Sequence, residues 1–331
     1  MDVLFISGIA NNNQVRAVLD NRGQFQYLLN GSSSVAPHME NAGEFRSHRF
    51  VLGGSGGNQR YGFNFRPAVI FNEISDPDTH SDALSRCTSF CKQQDVPVVN
   101  PPEAIFQTRR DQVTQALADI DGVEVPKTIR FAPQTPEDVR QAMTTHFTGS
   151  VLLREAGTHG GTSLTKIDSP EDIERQLYSF ALDGRAYYLI EFRDFASSDG
   201  LYRKFRIVVV DGVPYLRHML INDHWMVHRT ARTFMSSRKE LVQEEKQWLQ
   251  TFYKKPPQDL IKKVEIIAGR LKLDYFGIDC TLDDEGRMLI FEANANMNIL
   301  ANTQPSPNLW DAPIAAIHEH LKAMIQARVD S

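Results

Sequence analysis

Two apolar stretches near the C-terminus each carry polar side chains that a buried strand ordinarily excludes. One is Phe276-Gly277-Ile278-Asp279-Cys280, and the other is Leu289-Ile290-Phe291-Glu292-Ala293-Asn294-Ala295-Asn296. Asp283-Asp284-Glu285-Gly286 between them reads as a turn, so Tyr275–Leu282 and Met288–Glu292 are expected to pair as a hairpin. Residues two apart on a strand face the same way. Glu292 and Asn294 therefore project together, and Asp279 can lie across from them. A solvent-facing strand edge accounts poorly for Glu292, which sits between Leu289–Phe291 and the small Ala293. Clustered hard oxygen ligands at a strand end suit magnesium, which takes one or two carboxylates plus substrate phosphates.

The rest of the chain supplies the context for that hairpin. Val3–Ser7, Ala68–Asn72 and Val96–Val99 read as short buried strands, with a helix through Leu84–Lys92. This alternation implies a parallel sheet. Gln14–Leu19 is expected to be helical after the turn-rich Gly8–Asn13 loop, which is either an ordinary turn or a ligand-holding one. Gly53-Gly54-Ser55-Gly56-Gly57-Asn58 lacks the Gly-Lys-Ser/Thr of a P-loop and reads as a mobile loop or a substrate loop. Asp76, Asp78, His80 and Asp82 form a polar cluster, either a solvated loop or a substrate contact. After Asn100-Pro101-Pro102 a helix is expected over Glu103–Leu117, and Thr135-Pro136-Glu137-Asp138 carries a helix-start signature. Val151–Arg154 and Ser163–Ile167 flank Ala156-Gly157-Thr158-His159-Gly160-Gly161-Thr162, whose backbone N–H groups can wrap an anion. Tyr187–Phe192, Tyr202–Val210, Val213–Ile221 and Trp225–His228 read as antiparallel strands, two of them joined by the hairpin signal Asp211-Gly212. Helices are expected over Gln258–Leu271, Ala312–Ala327 and the charged tract Ser236–Lys255, which is a lid, an insertion or a dimer contact.

Composition narrows the field. The chain has 331 residues, 41% hydrophobic and 23% charged, so it is expected to fold into two or three packed units. A net charge of -5 offers no global basic field for nucleic acid. No apolar run is long enough to span a bilayer, and Met1–Ile6 does not open a secretory leader, so a soluble cytoplasmic protein is expected. Three cysteines, Cys87, Cys91 and Cys280, argue against a disulfide framework and fit a reducing compartment. Cys87 and Cys91 lie four apart on a helix and can meet, but no second pair completes a zinc site. His224 and His228, four apart on an expected strand, would lie about 13 Å apart, too far to share one ion.

Gly277-Ile278-Asp279, a turn, and Phe291-Glu292-Ala293-Asn294 resemble the metal-binding end of the ATP-grasp superfamily. That superfamily includes D-alanine–D-alanine ligase, glutathione synthetase and the ribosomal-protein glutamate ligases. Three more features resemble it in order: Val151–Arg154 with its glycine-rich turn, Leu189-Ile190-Glu191-Phe192 as a hinge strand, and the basic strand Tyr202–Val210 with Asp211-Gly212. The resemblance covers about residues 100–300. It implies an α/β fold, α+β in the ATP-binding part. The divisions expected are an N-terminal α/β unit at 1–102, a central unit at 103–186 and a C-terminal unit at 187–331.

The resemblance also implies roles. Asp279, Glu292 and Asn294 would hold magnesium, with manganese as an alternative. Arg154 and either Lys204 or Arg206 would contact the ATP phosphates, and Gly157, Gly160, Gly161 and Thr162 would close over them. Glu191 and Phe192 would lie along adenine through backbone groups, and Asp194 would take the ribose. Arg206 or Arg229 would hold the substrate carboxylate or the tetrahedral intermediate. His218, Trp225 and Asn296 are candidate substrate contacts. The chain departs from the family in having Arg154 for a lysine and, in Arg110-Asp111-Gln112, a glutamine for another. The implied activity is ATP-dependent ligation of a carboxylate to an amine through an acyl phosphate, on amino-acid or peptide substrates, with a homodimer as one assembly. The alternatives are a small-molecule kinase on the same fold and a nucleotide-binding protein without catalysis.

Overall fold

The computed structural model describes residues 1–19, 23–39, 45–53, 62–295, 297, 299–302 and 304–330. Gly54–Asn58 and Asn296, singled out above, lie outside the described residues.

The chain opens with strand β1 (Asp2–Gly8), the hairpin β2 (Arg16–Leu19) and β3 (Phe25–Leu28), and a short helix α1 (Ala36–Met39). Strand β4 (Arg46–Leu52), strand β5 (Val69–Asn72), helix α2 (Ser81–Cys91) and strand β6 (Val98–Val99) follow. The first sheet is parallel, in the order β4-β1-β5-β6, as the alternating pattern implies. Arg16–Leu19 is not helical. It pairs antiparallel with Phe25–Leu28, from Arg16 opposite Leu28 to Leu19 opposite Phe25. A partner rich in Phe, Tyr and Leu offers a short segment more than an isolated helical turn can, since helix nucleation is costly.

The helix expected over Glu103–Leu117 is two helices, α3 (Pro102–Phe106) and α4 (Arg110–Leu117). The Thr108 hydroxyl donates to the Ile105 carbonyl at 2.7 Å, and Arg109 adopts an extended backbone at φ -58°, ψ 144°. Such local side-chain bonds compete with the helical ladder. Strands β7 (Val123–Glu124) and β8 (Thr128–Phe131) lead to α5 (Pro136–His146). Thr135 caps α5 in a reciprocal box with Asp138, as the start signature predicts. Strand β9 (Val151–Glu155), strand β10 (Leu164–Ile167), helix α6 (Ile173–Leu177) and strand β11 (Tyr187–Glu191) complete a second sheet, antiparallel in the order β10-β9-β11-β8.

Strands β12 (Tyr202–Val210) and β13 (Val213–Asn222) precede helices α7 (Ala231–Ser236), α8 (Lys239–Lys254) and α9 (Gln258–Leu271). Strands β14 (Tyr275–Leu282) and β15 (Met288–Asn294) and helix α10 (Asp311–Asp330) end the chain. The third sheet has the order β13-β12-β14-β15-β7, so Val123–Glu124 pairs at its edge although it precedes the second sheet in sequence. Trp225–His228 is not a strand. The His224 imidazole accepts from the Met226 N–H at 3.2 Å and His228 from the Thr230 N–H at 3.3 Å, which turns the backbone away from a ladder.

The first and third sheets are joined by a core and a polar stitch. Ile317, Leu321 and Ile325 of α10, spaced four apart, bury one stripe among Val3, Phe5 and Phe71 of the first sheet and Val208 and Val210 of β12. Asn100, buried and left-handed at φ 53°, accepts from the Asp274 and Tyr275 N–H groups at 2.9 Å each. It donates to the Tyr275 carbonyl at 2.7 Å. What reads in the sequence as punctuation before two prolines is a rigid clasp between sheets.

Candidate active site

The third sheet concentrates polar side chains because of how its strands register. His218 stands opposite Arg206, Arg206 opposite Asp279, and Asp279 opposite Glu292. Four strands thus place four polar groups in one row. Bulges interrupt the register next to Arg206 and next to Asp279. Bulges commonly re-aim side chains beside functional sites. Lys204, two residues before Arg206, shares its face.

Electrostatics fixes these groups in place. Arg206 holds Asp279 bidentately at 2.7 and 2.9 Å, and Lys204 adds a bond at 3.0 Å. Burial opposes the Asp279 carboxylate, but these cations outweigh it and lower its pKa to about 2. Glu292 pairs with Arg110 at 2.7 Å and accepts from the Asn294 amide at 2.7 Å. Despite burial, the charges of Arg110, His159 and Arg154 hold its carboxyl well below the usual range. Burial and the surrounding Arg206, Arg232, Arg217 and Lys204 keep the His218 imidazole neutral.

The glycine-rich loop after β9 covers this row. Its φ values are positive at Gly157, Gly160 and Gly161 (76°, 66° and 83°), which L side chains rarely adopt. His159 on the loop points one ring nitrogen at Asp76, 3.2 Å away, and the other at Glu292, 3.7 Å away. Burial disfavours its imidazolium, yet the bonds to those carboxylates prevail and raise its pKa to about 9. Arg154 donates to the Thr158 carbonyl within the same loop at 3.0 Å. Burial and the neighbouring Arg110 lower its pKa to about 10, so it remains a cation at neutral pH.

Between the second and third sheets these groups enclose a cavity of about 750 Å³. Its apolar wall includes Leu152, Leu164, Ile190, Phe195, Ile290 and Phe291. Its polar wall carries seven Arg and Lys side chains against three carboxylates, Glu191, Asp279 and Glu292. A half-apolar cleft with surplus positive charge fits an anion that has an aromatic part.

No protein-family model and no curated protein matches the chain. Solved structures do match it. A RimK domain ATP-grasp protein from Sphaerobacter thermophilus DSM 20745 aligns over 100% of both chains with a TM-score of 0.54 at 13% identity. The D-alanine-D-alanine ligase from Coxiella burnetii aligns over 100% of this chain and 95% of its own, with a TM-score of 0.55 at 10% identity. The D-alanine–D-alanine ligase from Bacillus anthracis, complexed with ATP, aligns over 99% and 96%, with a TM-score of 0.51 at 11% identity. The chain has the ATP-grasp fold.

On this ATP-grasp frame most of the residues singled out in sequence line the one cavity. Arg154, Gly160, Gly161, Thr162, Glu191, Phe192, Lys204 and Arg206 do so, as do His218, Trp225 and Arg229 together with Asp279, Glu292 and Asn294. Two do not. Asp194 is exposed and accepts from the Ala196 N–H at 3.2 Å, and Gly157 packs against Thr79 in the turn between β5 and α2. The N–H groups of Glu191 and Phe192 already donate to Lys127 and Ser150, at 2.8 and 3.0 Å. Those two N–H groups are therefore already engaged. The Asp76 cluster is not a solvated loop: Asp76 and His80 are buried, and Asp78 accepts from Tyr188 at 2.7 Å and pairs with Arg130 at 3.2 Å.

Three further cavity residues contribute charge to the site. Arg110 stands two positions before the unexpected Gln112 and reaches Glu292 where Gln112 instead donates to Asp111. His159 is the one titratable residue in the glycine turn. Arg232, paired with the buried Glu245, carries no sequence signal.

The donor set fits magnesium. Asp279, Glu292 and Asn294 carry two carboxylates and one amide oxygen on adjoining strands, with Arg206, Lys204 and Arg110 now paired to the carboxylates. Among the described residues, no three acidic, Cys or His side chains converge to hold an ion alone. A magnesium ion bound here would need further oxygens from a ligand.

Proposed function

We propose that the chain is an ATP-dependent carboxylate–amine ligase. The observation that carries this reading is the Arg206–Asp279–Glu292 row, facing Arg154 and the glycine loop across one cation-rich cavity on an ATP-grasp fold. A structural neighbour was solved with ATP, which supports placing ATP in that cavity.

The base would lie between the apolar walls near Ile190 and Phe291, against the Glu191 and Phe192 carbonyls. Arg110, Arg154 and Lys204 would neutralise the triphosphate, and the loop Gly160–Thr162 would cover it and exclude water. Magnesium, held by Asp279, Glu292 and Asn294, would supply further neutralisation of the phosphates. A substrate carboxylate oxygen attacks the γ-phosphorus and displaces ADP. The amine nitrogen then attacks the acyl carbon, phosphate departs, and the nitrogen loses a proton. Arg229, whose guanidinium makes no ion pair among the described residues, and Arg206 would hold the substrate carboxylate and the oxyanion. Amino acids or peptides are the proposed substrate class, and the cytoplasm the proposed compartment.

The test is nucleotide product analysis with magnesium, ATP and pooled amino acids and peptides. Substrate-dependent ADP and phosphate, lost in Glu292→Gln, are expected. ADP without free phosphate would reassign the chain as a kinase, and AMP with pyrophosphate would refute the acyl-phosphate route.

A further inference from the structure

The residues lining the cavity begin at Thr108, so the first unit contributes none of its wall. It nevertheless touches the glycine loop at two points. A Cβ on Gly157 would meet the Thr79 methyl at 2.3 Å, so loop and turn are in direct contact and only glycine fits. Asp76 pairs with His159 at 3.2 Å through one carboxylate oxygen. Its other oxygen accepts from the Asp78 and Thr79 N–H groups at 2.9 and 3.3 Å, which rigidifies the turn that receives the loop. Asp78 ties the same turn to the second sheet through Arg130 and Tyr188. Asp76 is buried, so its charge is exchanged for a specific partner rather than for water.

We propose that the turn Asp76–Thr79 is the seat of the glycine loop. In this assignment Asp76 is a positioning residue: it holds the loop down through His159, whose second nitrogen then faces Glu292. The first unit thereby governs the geometry of a site it does not line. This rests on the ligase reading only for its consequence, since a seated loop would cover the triphosphate. The contact itself exists without any ligand.

The test is native-state hydrogen exchange by mass spectrometry on the full chain without nucleotide. It compares wild type with Asp76→Asn, His159→Gln and the double variant. A charge-assisted hydrogen bond between partly buried groups corresponds to about tenfold to a hundredfold in opening. Peptides covering residues 155–163 are expected to exchange faster by that factor in each single variant. The double variant should be no faster than either, and strands Tyr202–Val210 and Tyr275–Leu282 should be unchanged. Unchanged loop exchange in Asp76→Asn, or effects that add in the double variant, would overturn the proposal. If Asp76→Asn exchanges faster everywhere, His159→Gln decides, because its side chain is 43% exposed and its replacement leaves the core intact. Unchanged loop exchange there would overturn the proposal, and local acceleration would support it. Failure of ligation in the product assay leaves this result standing, so the two readings fail separately.

Discussion

Replacing Arg110 with alanine tests the phosphate-facing role proposed for this cavity cation. Arg110 donates to the Phe291 carbonyl at 2.9 Å and to Glu292 at 2.7 Å, with its side chain 16% exposed inside the cavity mouth. If the triphosphate sits as proposed, Arg110→Ala removes one charge-assisted partner from it, and Glu292 loses its principal neutralising group. One such interaction is worth about 1.5–3 kcal/mol, or roughly tenfold to 150-fold in affinity. Isothermal titration with ATP and magnesium should show weakening in that range for Arg110→Ala. Gln112→Ala should stay within about twofold, because the Gln112 amide is spent on Asp111. ATP affinity unchanged in Arg110→Ala, or an equal loss in Gln112→Ala, would refute the assignment of the phosphate-facing cation.

Asn100→Ala should cost about 4 kcal/mol, since three buried hydrogen bonds vanish and alanine must adopt φ 53°. A urea midpoint close to wild type would contradict the clasp. The His159 pKa rises on folding from 6.5 to about 9. Because the folded value is the higher one, its stabilisation is complete below pH 6.5 and fades as pH climbs through about 9. The thermal midpoint difference between wild type and His159→Gln should therefore be full at pH 6 and vanish near pH 10, and a constant difference would exclude this linkage.

How much of this was legible depended on whether the signal was local. Thr135 with Asp138 marks a helix start because the cap is built from residues three apart. Gln258–Leu271 reads to the residue because its apolar stripe runs uninterrupted to the left-handed Lys272. Asp279, Glu292 and Asn294 stood out because charge in an apolar strand is costly unless used. What failed was non-local. Arg16–Leu19 is a strand only by virtue of Phe25–Leu28, and the break at Thr108–Arg109 places Arg110 against a strand 181 residues away. The burial of Asp76 and its bond to His159 join segments 83 residues apart, which no periodicity encodes.

Activation of a carboxylate by phosphoryl transfer in this cavity leaves an isotopic trace. The direct measurement supplies carboxylate substrates labelled with ¹⁸O, together with ATP, magnesium and the amine pool, and analyses the products by mass. The account predicts ADP and phosphate carrying one ¹⁸O from the carboxylate. Label appearing in AMP, or phosphate released without label, would contradict it.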